Sequence, residues 1–100
     1  MEVEFRTNKL KKQSENYRVA ERAYGSQVAR RYIERINIIK QTRNLDELKR
    51  LPALRCHELK GGRQEQYAVS LTGFCRLIFT IIDETLEVIR IEEVSKHYDD

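Results

Sequence analysis

Two histidines and one arginine are the residues of this chain whose types suit catalysis near neutral pH. His57 and His97 are its two histidines, and imidazole can act as acid or base in that range. Arg76 offers a permanent charge and two-point hydrogen bonding to a phosphate. Cleavage of RNA by its own 2′-hydroxyl needs a base, an acid and a cation beside the phosphate. The residue types therefore suit RNA cleavage, if the fold brings them together.

The predicted strand order brings these residues to one edge of a sheet. From Leu54 onward apolar residues alternate between short turns, which predicts four antiparallel strands in a meander. His57, Arg76 and His97 then meet at one edge, where neighbouring strands lie about 4.8 Å apart. The sequence does not determine on which face of the sheet each of these side chains lies, because a one-residue shift in register moves a side chain to the other face. Two histidines in a small protein can also be without function, and a chain end is often frayed.

A short strand and three helices are predicted before the meander. Residues 3–5 alternate as a strand, and apolar residues at helical spacing predict a helix that runs to Tyr24. Gly25 separates it from a second helix, and a capping signal at Asn44 begins a short third one. The four later strands are expected at residues 54–59, 66–71, 77–82 and 86–94. The order β-α-α-α-β-β-β-β predicts an α+β fold, with the helix pair packed on one face of an antiparallel sheet.

Length and composition restrict the class of protein. One hundred residues predict a single domain over residues 1–100. No apolar run approaches the roughly 20 residues that span a bilayer, and the acidic start does not resemble a secretion signal. Two cysteines make no disulfide scaffold, so we expect a cytoplasmic protein without a membrane partner. Cys56 and Cys75 lack metal-ligand spacing even when both histidines are counted, so we expect neither metal nor cofactor.

Basic residues are concentrated in the first three quarters of the chain. Residues 1–76 carry 17 Lys and Arg against nine Asp and Glu, whereas residues 77–100 carry two against seven. A basic region favours a polyanionic partner such as nucleic acid, although a solvated helical surface has the same composition. Arg30, Arg31 and Arg35 are expected off the apolar stripe of the second helix, on a basic surface that suits the phosphates of RNA.

Three segments resemble the HigB-type toxins of the RelE/ParE superfamily. Residues 51–63, LPALRCHELKGGR, resemble the family segment "LP…HxLKGxR". Residues 66–71, QYAVSL, and residues 74–79, FCRLIF, resemble its next two strands, and residues 89–98 resemble the last strand and its tail. The resemblance covers essentially the whole chain and implies a RelE-like fold.

The resemblance also implies an activity and partners. HigB-type toxins cut mRNA in the ribosomal A site without a metal ion, and a helix-turn-helix antitoxin of the HigA type neutralises them. It implies catalytic roles for His57, Lys60, Arg76 and His97, with Arg76 binding the phosphate. It also implies that Arg63 contacts RNA.

The tail departs from the family pattern. HigB tails typically end in an acidic residue, Tyr and His, whereas this chain has Ser95-Lys96-His97 followed by Tyr98. Either Lys96 or Tyr98 takes the place of the tyrosine, or the register slips by one residue. Lys96 and Tyr98 are expected to contact RNA, and Lys96, His97 or Tyr98 is expected to be the general acid.

Two other functions share this fold. ParE-type members poison DNA gyrase without nuclease residues, and an inactive member would only bind its antitoxin. The two histidines favour the ribonuclease.

Overall fold

The fold combines four helices with a five-stranded sheet, which confirms the predicted α+β class. A computed structural model of the chain describes residues 1–61 and 65–96. The helices are α1 (Asn8–Glu15), α2 (Tyr17–Tyr24), α3 (Ser26–Gln41) and α4 (Leu45–Lys49), followed by a 3-10 helix at Pro52–Leu54. The strands are β1 (Glu2–Phe5), β2 (His57–Glu58), β3 (Gln66–Ser70), β4 (Cys75–Asp83) and β5 (Val88–Lys96).

The sheet has the strand order β1-β5-β4-β3-β2. Strands β2 to β5 pair antiparallel with their neighbours in sequence, as the short turns predict. Strand β1 joins on the outside of β5 and runs parallel to it, with Val3 opposite Ile89 and Phe5 opposite Ile91. Strand β4 therefore occupies the centre of the sheet, with β5 paired along one edge and β3 along the other.

One face of the sheet packs against the helices, as predicted. Helix α3 supplies Tyr32, Ile36 and Ile39, each at most 1% exposed, to a core that also contains Leu77 and Phe79 of β4. The Tyr32 hydroxyl donates a hydrogen bond of 2.8 Å to the carbonyl of Leu10 and so ties α3 to α1. A smaller cluster on the opposite face contains Leu59, Ala68 and Ile78.

The first predicted helix is two helices, with a break at Asn16. The Asn16 side chain accepts hydrogen bonds from the amides of Arg18 and Val19 and thereby caps α2. Its own amide donates to the carbonyl of Lys12 and closes α1. Asparagine caps helices well because its short side chain replaces the missing partner of the first-turn amides. Because apolar residues keep helical spacing on both sides of Asn16, the spacing alone predicts one continuous helix.

Strand β2 is shorter than predicted, with two residues instead of six. The 3-10 helix that begins at Pro52 occupies the first part of the predicted strand. Arg55 then adopts a left-handed conformation with φ of 48°, which turns the backbone out of line with the sheet. Pairing with β3 begins only at His57.

The helices of the described residues are too short or too polar to cross a lipid bilayer.

Candidate functional site

The register of the sheet places His57 and Arg76 on the same face. His57 lies opposite Ala68, and Arg76 lies opposite Ser70. Ala68 and Ser70 are two residues apart on β3, so their side chains point to the same side. Leu77, the neighbour of Arg76, packs in the core on the helical side. His57 and Arg76 therefore both face away from the helices, which resolves the question that the sequence left open.

A small cleft of about 90 Å³ opens on this face at the predicted edge. Its lining combines basic side chains with small side chains from β3, from β4 and from the turn between them. The lining residues are Arg55, His57, Ala68, Ser70, Thr72, Gly73, Cys75 and Arg76. Two guanidinium groups and an imidazole around a small space suit a bound phosphate.

His57 is held in one tautomer by the backbone. Its Nδ1 atom lies 2.8 Å from the carbonyl oxygen of Arg55. A carbonyl oxygen accepts hydrogen bonds and does not donate them, so Nδ1 carries the hydrogen. In the neutral ring Nε2 is then the basic nitrogen, and the His57 side chain is exposed to solvent. An exposed, correctly oriented imidazole nitrogen is what a general base requires.

Arg76 lies on the central strand and is 8% exposed. Its two cross-strand neighbours are Ser70 on β3 and Ser95 on β5, both small. Small side chains on each side leave room for the long arginine across the sheet surface. A buried arginine bound to the sheet on both sides presents its charge in a fixed place, as a phosphate-binding group needs.

Two other predicted site residues lie outside the lining of the cleft. Lys60 is exposed in the turn after β2. Lys96 is exposed at the end of β5 and pairs with Cys75, so its side chain leaves the sheet on the face opposite Arg76. The predicted site residues Arg63, His97 and Tyr98 fall outside the described residues.

The predicted basic surface of α3 is only partly correct. Arg30 and Arg31 are exposed, but Arg35 is 4% exposed, so its predicted place on an RNA-binding surface is wrong. Arg35 donates from Nε to the carbonyl of Ser70 at 3.0 Å and forms an ion pair with Glu34. Arg35 follows Tyr32 by three residues and precedes Ile39 by four, so helical periodicity already places it beside the buried stripe.

Arg55 is a site residue that the sequence analysis missed. It was predicted to lie inside a strand, whereas it lines the cleft from a left-handed turn. Pro52, three residues earlier, is the signal that a regular strand cannot begin there.

Cys56 is a poor candidate for a nucleophile. Burial raises the pKa of its thiol from 9.0 to about 11, and the charge of Lys49 opposes this shift without overcoming it. The thiolate is the reactive form of cysteine. Cys56 is therefore protonated near neutral pH, and the chemistry of the cleft rests on its histidine and arginines.

A larger groove of about 380 Å³ lies beside the turn between β4 and β5. Its lining contains the carboxylates of Asp46, Glu65, Asp83, Glu84 and Glu87. These negative charges repel a polyanion such as nucleic acid and so disfavour its binding in this groove. The smaller basic cleft is therefore the better candidate for binding nucleic acid.

Comparisons with known proteins identify the fold through solved structures. No protein-family model and no curated protein matches the sequence. YafQ from E. coli superposes with a TM-score of 0.65 at 12% identity, over 95% of this chain and 91% of that one. A YoeB/ParE toxin from Agrobacterium tumefaciens superposes with a TM-score of 0.58 at 16% identity, over 98% and 100%.

YafQ in the E. coli DinJ–YafQ complex gives a TM-score of 0.55 at 14% identity, over 96% of this chain and 92% of that one. At these identities the likeness shows the fold alone. The RelE-like architecture expected from the sequence is confirmed, with the helical layer and the five-stranded sheet of these toxins.

Proposed function

We propose that this protein is the toxin of a toxin–antitoxin pair and cleaves mRNA on the ribosome, as a HigB-type endoribonuclease. The observation that carries the proposal is the common face of His57 and Arg76 across a basic cleft. This pair supplies a base and a phosphate-binding cation, two of the three groups that cleavage by a 2′-hydroxyl requires. The fold shared with a YoeB/ParE toxin supports the assignment.

The chemistry follows from the placement of the two side chains. Nε2 of His57 removes the proton of the 2′-hydroxyl, and the resulting oxygen attacks the adjacent phosphorus. Arg76 stabilises the extra negative charge on the phosphate oxygens, assisted by Arg55 at the rim of the cleft. The bond to the 5′-oxygen breaks, and an acid protonates that oxygen. The products are a 2′,3′-cyclic phosphate and a 5′-hydroxyl end.

The general acid is proposed to lie in the C-terminal tail, where the sequence offers Lys96, His97 and Tyr98; the register turns Lys96 to the face opposite Arg76, which favours His97 or Tyr98. Strand β5 ends with Lys96 opposite Cys75, at the edge that holds Arg76. Lys60, which follows β2, and Arg63, which lies outside the described residues, are proposed to contact the RNA backbone. Arg30 and Arg31 are proposed to bind ribosomal RNA.

The proposed protein partner is a helix-turn-helix antitoxin of the HigA type. The solved complex of YafQ with DinJ shows that a protein of this fold can be held in a complex with a second protein. An antitoxin that covers the cleft would displace the RNA and so prevent cleavage.

Replacement of Arg76 tests the proposed function. We expect the wild-type protein to arrest growth when expressed alone and to cleave translated mRNA, leaving 5′-hydroxyl ends detectable by primer extension. Arg76→Gln is expected to lower the cleavage rate by about 10²-fold or more, which corresponds to roughly 3 kcal/mol of transition-state stabilisation. Arg50→Gln, at an exposed site beside α4, is the matched control and is expected to keep full activity.

The alternatives give different results in the same strains. Growth arrest with inhibited DNA supercoiling and intact mRNA would identify a gyrase poison. No growth arrest by a folded protein would identify an inactive antitoxin-binding module. Undiminished cleavage by folded Arg76→Gln would remove Arg76 from the site.

A further inference from the structure

We propose that Arg35 is a positioning residue for the cleft: it replaces the strand that is missing beside Ser70 and thereby fixes the backbone opposite Arg76. This inference rests on the proposed function, because it concerns the geometry of the same site. It assigns a role to a buried charge that the cleavage chemistry does not use directly.

The hydrogen-bond pattern of β3 and β4 gives the direction of the Ser70 carbonyl. The amide of Leu71 donates to the carbonyl of Cys75 at 3.0 Å, so Leu71 and Cys75 form a hydrogen-bonded pair. Such pairs alternate with non-hydrogen-bonded pairs along an antiparallel ladder. Ser70 and Arg76 are therefore a non-hydrogen-bonded pair, and the carbonyl of Ser70 points away from β4 toward the outer edge.

At that outer edge β2 has not yet begun. His57 pairs with Ala68, so the same register would place Arg55 opposite Ser70. Arg55 instead has φ of 48° and lies off the strand. A buried carbonyl without a partner costs about 1–3 kcal/mol. Arg35 supplies the partner, because its Nε donates to the carbonyl of Ser70 at 3.0 Å.

The same contact connects the helical layer to the site. Arg35 belongs to α3 and is 4% exposed, so its guanidinium lies inside the packed layer between helix and sheet. Ser70 lines the cleft and is the cross-strand neighbour of Arg76. Residues of a non-hydrogen-bonded pair have Cα atoms only about 4.5 Å apart. Movement of the Ser70 backbone would therefore move Arg76 relative to His57.

This arrangement explains how a cleft can open on the face of the sheet at this edge. If β2 continued to Arg55, it would satisfy Ser70 but cover the space next to His57. With Arg35 as the donor, β2 can begin as late as His57 and the space beside His57 stays open. The helix thus satisfies the edge of β3 from behind the sheet and leaves its front face accessible to a phosphate.

The test compares two variants of Arg35 with a control of similar burial. Arg35→Met removes the donor and the charge, while Arg35→Lys keeps a charged donor. Gln13→Leu is the control, because Gln13 is 1% exposed and its hydrogen bond to the Tyr24 hydroxyl lies among α1 and α2. Each protein is assayed for thermal midpoint, maximal cleavage rate and half-saturating ribosome concentration.

We expect Arg35→Met to lower the maximal rate by about tenfold to 10²-fold while the half-saturating concentration changes by less than about twofold, as for a misplaced catalytic group. Arg35→Lys should recover part of the rate. Gln13→Leu should lower the thermal midpoint but keep the wild-type rate. An unchanged rate in folded Arg35→Met, or an equal loss in Gln13→Leu, overturns the inference.

A measurement without catalysis separates this inference from the proposed function. In ¹⁵N-labelled protein, the Nε–Hε signal of Arg76 is expected to shift in both Arg35 variants and to stay in place in Gln13→Leu. If Arg35→Met does not fold, Arg35→Lys decides alone: an unshifted Arg76 signal with a wild-type rate overturns the inference. Intact mRNA in cells that express the wild-type protein would defeat the proposed function, whereas a shifted signal would still support the role of Arg35 in positioning.

Discussion

His57 and Arg76 face the same side of the sheet from the two strands that flank β3. The β3 residues between them, Ala68 and Ser70, have small side chains, so a phosphate can approach both groups at once. His57 receives its orientation from the carbonyl of Arg55, and Arg76 from its place on the central strand. The site is therefore assembled mainly by backbone geometry.

His57 is predicted to be the general base. His57→Gln should lower the cleavage rate by about 10²-fold to 10⁴-fold with little change in stability, because the side chain is exposed. Glu58→Gln is the matched control, since Glu58 follows on β2, is also exposed and faces the other side. Cleavage of a reporter mRNA measures both. A fully active His57→Gln protein would transfer the base to another residue.

Phe74 is predicted to stack on a base of the bound RNA. Its side chain is 63% exposed, and its neighbours Gly73 and Cys75 line the cleft. Stacking of a base on an aromatic ring is worth about 1–3 kcal/mol. Because the chain has no tryptophan, Phe74→Trp provides a single fluorescent reporter that an RNA oligonucleotide should quench.

Leu86→Trp is the control for this reporter. Leu86 has a similar exposure of 69% but lies in the turn between β4 and β5, away from the cleft. Its tryptophan should be insensitive to the oligonucleotide. Equal quenching at both positions, or quenching by an abasic oligonucleotide, would contradict stacking at Phe74.

The exposed arginines of α3 are predicted to contribute to ribosome binding through phosphate contacts. Arg30→Gln together with Arg31→Gln should weaken co-sedimentation with ribosomes and reduce the slope of log affinity against log salt by about 1.5, as expected for two lost contacts. The pair Arg43→Gln and Arg50→Gln removes the same charge from other exposed positions. A loss that is identical in both double variants would indicate net charge alone.

The local part of the fold was predictable, because its signals are short in sequence. The meander follows from alternation and turns, since each of its strands pairs with the next one. The parallel pairing of β1 with β5 joins opposite ends of the chain, and alternating Val3 and Phe5 fit any sheet edge. Nothing local in the sequence selects that partner.

The sequence was sufficient to predict the edge of the sheet at which the candidate site lies. His57 and Arg76 were expected at the same end of the meander, but their common face depends on register, which the sequence did not determine. The burial of Arg35 was missed because a charged residue at the margin of an apolar stripe usually extends to solvent. Its hydrogen bond to Ser70 depends on the late start of β2 at His57.

Stability is predicted to decrease at alkaline pH. Burial raises the pKa of Cys56 from 9.0 to about 11 and also raises the pKa values of Tyr32 and Tyr24. Above pH 9 the unfolded thiol loses its proton while the folded thiol retains it. The contribution of Cys56 is therefore fully present below pH 9 and is lost as the pH rises to 11.

Urea denaturation at pH 7, 9 and 10.5 measures this effect. The midpoint should fall between pH 9 and 10.5 in the wild type, and by less in Cys56→Ala, which lacks the titrating thiol. The tyrosines account for the remaining decrease. A midpoint that is equal at pH 9 and 10.5 would show that these groups titrate alike in both states.

The place of β5 between β1 and β4 has a consequence for synthesis. Among the described elements β1 is synthesised first, whereas its partner β5 follows the four helices and the other strands. The edge of β4 that pairs with β5 stays unpaired for the same time. Contacts between residues far apart in sequence, such as those of β1 with β5, also form slowly. The sheet is therefore completed only after β5 has been synthesised.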